Sequence, residues 1–257
     1  MIRKLAEKAA RRLATYLPSF SYQKNDGYCL CCESSTSFLS MSAWFRDNYR
    51  CVRCSSLPRE RAVMLALRNH YPDWKKLAIH ESSPCDTGAS RALKRNCAGY
   101  LASQFFPGEP LGTTISGFSN QDLENQTFED ECFDLVITQD VLEHVYAPAK
   151  AFREICRTLK VGGAHIFSVP IVNRFSRTER WAERNERGQP RFLGTPEFHG
   201  SPVDEKGSPV TMHWGFDIVD FVRSQTNMET EIEDCYDLQF GLSARYLEIF
   251  VSKKKPK

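Results

Sequence analysis

Residues Phe133–Pro170 read FDLVITQDVLEHVYAPAKAFREICRTLKVGGAHIFSVP, and this stretch decides the fold. Phe133–Thr138 is a short, apolar, β-branched run, the pattern of a strand buried on both faces. Ala147–Leu159 carries a helical stripe of Ala151, Ile155 and Leu159 with Phe152 beside it and charges elsewhere. Gly162-Gly163 is expected to stop that helix, and Ala164–Val169 is a second apolar strand. A strand–helix–strand unit belongs to a parallel sheet, in which ligands sit at the carboxyl ends of the strands. Gln139–His144 leave the first strand on that edge.

Working outward, the 257 residues suit one α/β domain with a small appendage. Hydrophobic residues make up 41% and charged residues 26%, and the formal net charge of +2 implies no strong pull toward nucleic acid or membrane. No run is apolar and long enough to span a bilayer, and no signal-peptide core is present. Met1–Ser19 reads as an amphipathic helix (domain limits 1–20). Its Ile2, Leu5, Ala6, Ala9, Leu13 and Tyr16 share one face. Without Trp or Phe anchors, docking on the protein's own core or a partner is preferred to peripheral membrane contact.

Ten cysteines are the outlier. Cys29-x2-Cys32 and Cys51-x2-Cys54 are separated by 18 residues, the spacing of two knuckles that together offer four thiolates to one zinc ion. Four protein ligands leave no open position, so the expected role is structural. Such binding is worth on the order of 10 kcal/mol, enough to fold the short module at 27–61. Cys31 sits inside the first knuckle and is not counted as a ligand. In a chain without a secretion signal this usage fits a reducing, cytoplasmic setting.

Further strands are expected at Leu77–His80, Gly99–Ala102, Ile115–Phe118, Glu229–Asp234 and Ala244–Ser252, with helices at Pro58–His70, Ala89–Lys94 and Ile218–Ser224. FFPGEPLGTT, starting at Phe105, is too short and too rich in Pro and Gly for a crossover helix. The polar stretch Ile171–His213 reads as a lid or substrate loop, and Lys253–Lys257 as a solvated basic tail.

The string DLENQTFEDECFDLVITQDVLEH followed by AFREICRTLKVGGAHIFSVP resembles the second half of class I S-adenosylmethionine-dependent methyltransferases (methyltransferase type 11-like), with Val161 in the place of the usual proline. CVRCSSLPRER, starting at Cys51, is similar to the zinc ribbon ahead of some bacterial methyltransferase domains. The resemblance implies a Rossmann-like doubly wound α/β sheet at 72–257 and S-adenosyl-L-methionine as cofactor. It places Glu81 at the acid of the first strand, with Ser82 and Ser83 replacing the glycines of the cofactor turn and offering hydroxyls to a carboxylate. The usual ribose acid is missing, so Ser103 or Gln104 must substitute. Asp122 matches the acid that accepts the adenine amino group, with Leu123 beside the ring, and Gln139 and Asp140 line the cofactor. The bland alternative for Asp122 is a loop acid capping a turn.

Methyl transfer is an in-line displacement, and a hydroxyl acceptor also needs a base of near-neutral pKa. The segment from Pro196 to Phe221 resembles one that some family members carry before the last helix. It makes His199 the first candidate, His213 the second and, from the Glu143-His144 helix, His144 the third. His70, His80 and His165 read as structural. The expected acceptor is an oxygen or nitrogen of a small molecule or glycan. The rivals are a catalytically inactive binding module with this fold, favoured by the lost glycines, and an RNA methyltransferase. In the latter Arg46, Arg50, Arg53, Arg59 and Arg61 would touch phosphate.

Overall fold

The computed structural model describes residues 23–201 and 203–256. The expected N-terminal helix lies outside them. β1 (Gln23–Cys29), β2 (Ser34–Ser40) and β3 (Arg50–Cys51) form a small antiparallel sheet with the one-turn α1 (Phe45–Asn48) between β2 and β3. From it α2 (Pro58–His70) leads into the main domain, over the span expected from sequence. Pro58 begins α2 where its missing N–H costs nothing, and Glu60 folds back to accept the Leu57 N–H at 2.6 Å.

The main domain continues with β4 (Ala78–Ser82), α3 (Gly88–Asn96), β5 (Gly99–Gln104), β6 (Thr114–Ile115), β7 (Phe118–Asn120), β8 (Phe133–Gln139), α4 (Pro148–Thr158) and β9 (Leu159–Ser168). After the polar segment come α5 (Ile218–Gln225), β16 (Met228–Glu233) and β17 (Ile249–Lys254). The eight-stranded sheet has the order β16-β17-β9-β8-β4-β5-β7-β6. β4, β5, β7, β8 and β9 run parallel, whereas β17, β16 and β6 pair antiparallel to their neighbours. The chain steps from β4 to β5 on one side and later returns to β8 on the other. The β4–β8 boundary is therefore the switch point at which doubly wound sheets bind ligands.

Both faces of the central strands are covered, as their unbroken apolar character requires. Leu135, Ile137 and Ile166 pack into one cluster with α2 and α3 residues such as Leu67 and Leu93. Val136 and Phe167 pack into the other with Phe152, Trp214 and Val222. The first cluster also takes in Cys29, Phe38, Tyr49 and Cys51, so the cysteine module and the sheet share one hydrophobic core.

Several elements depart from the sequence expectation. The strand expected at Ile115–Phe118 is a hairpin, because Ser116 and Gly117 both adopt positive φ and turn the chain back, so that Phe118–Asn120 is the strand beside β5. β9 begins at Leu159 and runs through Gly162-Gly163 instead of after it. Its register advances five residues against two on β8, a bulge made by Gly162 at φ +81° and by Gly163, whose backbone lies against the Asp134 carbonyl. Glu143-His144 occupy a turn, not a helix, since α4 starts only at Pro148. β17 starts at Ile249 instead of Ala244 and includes Lys253 and Lys254. The Lys254 ammonium is buried on the Leu159 carbonyl, so these two lysines are sheet residues and not a solvated tail.

The segment 171–213 is built of three two-stranded ribbons. β10 (Glu179–Arg180) pairs with β15 (Met212–His213), β11 (Ala182–Arg184) with β12 (Pro190–Phe192), and β13 (Phe198–His199) with β14 (Ser208–Pro209). Thr211 fastens the base of these ribbons to the turn after β8. Its N–H donates to the Glu143 carbonyl at 2.7 Å and its hydroxyl to the Val145 carbonyl at 2.6 Å.

A Cβ added at Gly163 would lie 2.6 Å from the Asp134 carbonyl oxygen, a backbone atom that cannot rotate away. Gly163→Ala is expected to lower stability by about 1–3 kcal/mol in urea unfolding. An unchanged midpoint would contradict this bulge.

Candidate active site and cysteine cluster

β4 ends at Ser82, and the chain leaves it through Ser83, held at φ +55°, whose N–H donates to the Ser103 carbonyl at 2.8 Å. Beyond this turn a cleft of about 1840 Å³ opens at the carboxyl ends of the strands. Ser83, Gln104, Gln139 and Asp140 line its sheet side, and His144, His199 and His213 line its far side under the ribbons. The structure thus brings together seven of the residues singled out from sequence. Ser82, Ser103, Asp122 and Leu123 do not line the cleft. Ser103 turns inward to the imidazole of His80 at 2.7 Å, and Asp122 accepts the Glu124 N–H at 2.9 Å, the turn-capping role.

Glu81 is buried at the end of β4 beneath the cleft and accepts three donors. These are the Ser90 hydroxyl at 2.7 Å, the Tyr100 hydroxyl at 2.8 Å and the Gln139 amide at 2.9 Å. Burial pushes its carboxyl up to about 7, against the pull of those three bonds. Gln139 spends its amide N–H on Glu81, and its Oε1 has no protein partner although it is buried at the cleft wall. That free acceptor is where a ligand hydroxyl or amine can bind.

Asp140, at φ +53°, is held from the module side. Arg46 reaches it at 2.6 Å, Arg59 at 3.2 Å, and the Ser168 hydroxyl donates to it at 2.9 Å. Burial works to raise this carboxyl, but the two guanidinium groups outweigh it and keep it below the usual range. Arg46 and Arg59 were candidates for phosphate contact. They are instead committed to Asp140, and Arg61 is fully buried, which leaves only Arg50 and Arg53 of that group exposed.

Across the cleft, Glu197 joins two of the predicted histidines, with His213 Nε2 at 2.9 Å and His199 Nε2 at 3.3 Å. His144 Nδ1 lies 2.9 Å from the Pro209 carbonyl, and burial lowers the His144 pKa. His80 and His165 are buried under the sheet, pushed down to about 3 mainly by desolvation, and His70 pairs with Glu233 at 2.6 Å, so all three are structural. Sequence reasoning missed the support from Tyr100 and the Arg46–Arg59 clamp on Asp140. The clamp joins positions far apart in the chain and leaves no local signal.

The four cysteines expected to bind metal converge. Their sulfurs all lie within 4.8 Å of one another, with Cys29–Cys54 at 3.6 Å and Cys32–Cys51 at 4.0 Å. Those separations fit sulfurs about 2.3 Å from a common tetrahedral centre. The cluster suggests, by its geometry, a zinc site of four thiolates. Cys31 is buried next to it and belongs to no such set.

Comparison with known proteins adds a match over part of the chain. Residues 100–167 match the family model described as "Methyltransferase domain". The chain is an enzyme with a methyltransferase domain. The matched segment runs from β5 through β9 and so contains Gln104, Gln139, Asp140 and the Glu143-His144 turn. Among solved structures, an S-adenosylmethionine-dependent methyltransferase from Mesorhizobium loti is similar at 20% identity. It covers 74% of this chain and 96% of its own, with a TM-score of 0.48. One from Listeria monocytogenes is similar at 15% identity over 76% of this chain and 99% of its own, with a TM-score of 0.44. The comparison with curated proteins returned no match. No described helix of this methyltransferase is long and apolar enough to cross a membrane.

The buried Glu81 carries a pH signature. Its pKa rises from an ordinary 4.5 to about 7 on folding, so the folded state holds its proton longer. Its contribution to stability is full below pH 4.5 and is lost as pH climbs through 7. Urea midpoints measured across that window should fall in the wild type relative to Glu81→Gln. Parallel pH profiles for the two would refute the shift.

Proposed function

We propose that this methyltransferase moves the methyl group of S-adenosyl-L-methionine to an oxygen or nitrogen atom of a small molecule or glycan bound under the 171–213 ribbons. The observation that carries the reading is the two-sided cleft at the β4–β8 switch point. One wall presents an unpartnered Gln139 acceptor beside the Ser83 turn, and the opposite wall presents three imidazoles. On the sheet side Ser83, Gln104 and Gln139 would hold the cofactor, and Tyr100 and Glu81 support Gln139 from beneath. S-adenosylmethionine has no phosphate to cradle, so small side chains at Ser83 and Ser90 can take the place of a glycine-rich turn. When bound, the cofactor supplies an electrophilic methyl on a sulfonium.

The chain's own part is to orient the acceptor and to manage its proton. His199, on β13 and with its side chain 38% exposed at the cleft, is the first candidate for that proton, with His213 and then His144 behind it. The Glu197 carboxylate, kept below its usual range by those histidines in spite of burial, orients both His199 and His213. An RNA acceptor is disfavoured because three of the five module arginines face inward. A reducing, cytoplasmic setting belongs to the same proposal, because the two C-x2-C pairs fit metal binding better than disulfides.

Calorimetric titration with S-adenosylhomocysteine tests the cofactor assignment. A saturable heat is expected, weakened about tenfold in Gln139→Ala, as the loss of one buried hydrogen bond implies. No heat at millimolar ligand would leave the fold as an inactive binding module. We further assign a structural zinc ion to Cys29, Cys32, Cys51 and Cys54. Metal analysis should return one zinc per chain, lost together with the module's structure on chelation. A fully folded metal-free preparation would remove the ion.

A further inference from the structure

Glu143 is the least satisfied carboxylate among the described residues. It is 2% exposed, and neither of its side-chain oxygens has a hydrogen-bond partner. The neighbouring Asp140 shows what an ordinary solution looks like, with two arginines and a serine upon it. Two buried carboxylate oxygens left without hydrogen-bond donors cost several kcal/mol.

The side chains around Glu143 do not donate to it, and their geometry explains why. His144 Nδ1 faces the Pro209 carbonyl at 2.9 Å, and a carbonyl only accepts, so Nδ1 carries the proton. The lone pair is then on Nε2, 3.9 Å from Glu143 Oε1. His199 Nε2 faces the Glu197 carboxylate at 3.3 Å, which places its proton there and its lone pair on Nδ1, 3.8 Å from the same Glu143 oxygen. The two rings stand perpendicular, with centroids 5.0 Å apart. Two imidazole lone pairs and one carboxyl oxygen therefore converge within 4.8 Å of one another.

We propose that Glu143, His144 and His199 hold a divalent cation at the acceptor side of the cleft. An ion placed among the three turns mutually repelling lone pairs into ligands and gives the buried carboxylate the positive partner it lacks. A set of two imidazoles and one carboxylate selects Zn2+, Fe2+, Co2+ or Mn2+ over Mg2+ or Ca2+. Donor atoms of such sites stand about 2.0–2.2 Å from the metal, which a shift of a few tenths of an ångström in each side chain provides. Pro209 and Glu197 supply the outer partners that fix the ring tautomers, and His213 in turn holds Glu197. Asp140 is not part of the set, because its oxygens are taken. Three ligands leave coordination positions open toward the cleft.

This deepens the methyl-transfer reading and rests on it. The open positions accept an oxygen of the acceptor, so the substrate class narrows to hydroxyl-bearing molecules. The ion stabilises the ionised hydroxyl, whose proton passes to solvent, and so relieves His199 of acting as base. The oxygen lone pair then forms the new O–CH3 bond while the S–CH3 bond breaks, its electron pair returning to sulfur to leave a neutral thioether.

Mn2+ tests the site, because it avoids thiolates and its free ion is counted directly by electron paramagnetic resonance. The full chain, with its cysteine cluster loaded with zinc, should take up one Mn2+. Glu143→Gln and His199→Ala should each weaken uptake at least 100-fold, and Glu197→Gln about tenfold through the lost outer partner. Zinc content of the cysteine cluster and S-adenosylhomocysteine heat should stay unchanged in all three, which separates lost ligation from misfolding. No uptake by the wild type at millimolar Mn2+, or uptake indifferent to Glu143→Gln, overturns the proposal. Mn2+ uptake without any S-adenosylhomocysteine heat would uphold the cation site and sink the methyl-transfer reading alone.

Discussion

The guanidinium of Arg61 is the point from which the rest of the architecture is organised. It is fully buried, lies 4.5 Å over the Phe38 ring, and donates to the carbonyls of Ser56, Tyr49 at 2.9 Å and Gly241 at 2.7 Å. No carboxylate among the described residues forms an ion pair with it. A lone buried cation is costly, and burial here works against its charge, while the nearby Cys31, Cys29 and Cys51 sulfurs favour it. Four thiolates around one Zn2+ carry a net charge of −2, so a metal-loaded cluster supplies the counter-charge that the protein otherwise withholds. Arg61 also donates to Ser56 Oγ at 3.2 Å, which lies 3.3 Å from Cys29 Sγ. With the proposed zinc bound, the cysteine cluster and the arginine form one electrostatic unit, and each explains the burial of the other.

Because Arg61 sits on the first turns of α2, that unit also sets the cleft. One residue before it, the buried Glu60 caps α2 and accepts the Thr87 hydroxyl at 2.9 Å, fixing the loop that follows β4. Gly88 has no Cβ because the Glu60 carboxylate would collide with one. Arg59 and Arg46, from the same side, clamp Asp140 after β8. The cysteine module thus holds both loops of the switch point. In a turn that lacks the usual glycines, rigidity comes from a neighbouring module instead of from local backbone.

What could be read in the sequence follows from the range of the interactions involved. The strand–helix–strand unit and α2 were legible because periodicity and capping are local, and the cysteine cluster because its spacing encodes its geometry. The Ser116-Gly117 hairpin is hard to place from sequence although a Ser-Gly pair is itself a turn signal, because the short apolar run around it masks the turn. The bulge at Gly162-Gly163 reads as a helix stop in the sequence, since a glycine pair looks the same in both settings until the register against β8 is known. Assignments carried from family likeness fared by neighbourhood. Gln139 and the three histidines reach the cleft, whereas Ser103 was lost to His80, because alternate residues of a strand face opposite sides and the ribose position depends on that parity.

The cleft distributes its acids with a logic that bears on chemistry. Glu81 is saturated by three donors, Asp140 by two cations and a hydroxyl, and Glu143 by nothing. Stabilising interactions account for the first two, since each holds a loop of the switch point in place. They do not account for Glu143, which lies on the turn that the ribbons grip through Thr211, and whose burial is therefore enforced by the same ribbons that carry His199. A fold that spends a ribbon to bury a carboxylate without a donor has traded stability for a poised ligand or charge. That trade is typical of functional sites and falls on the acceptor wall, opposite the cofactor turn.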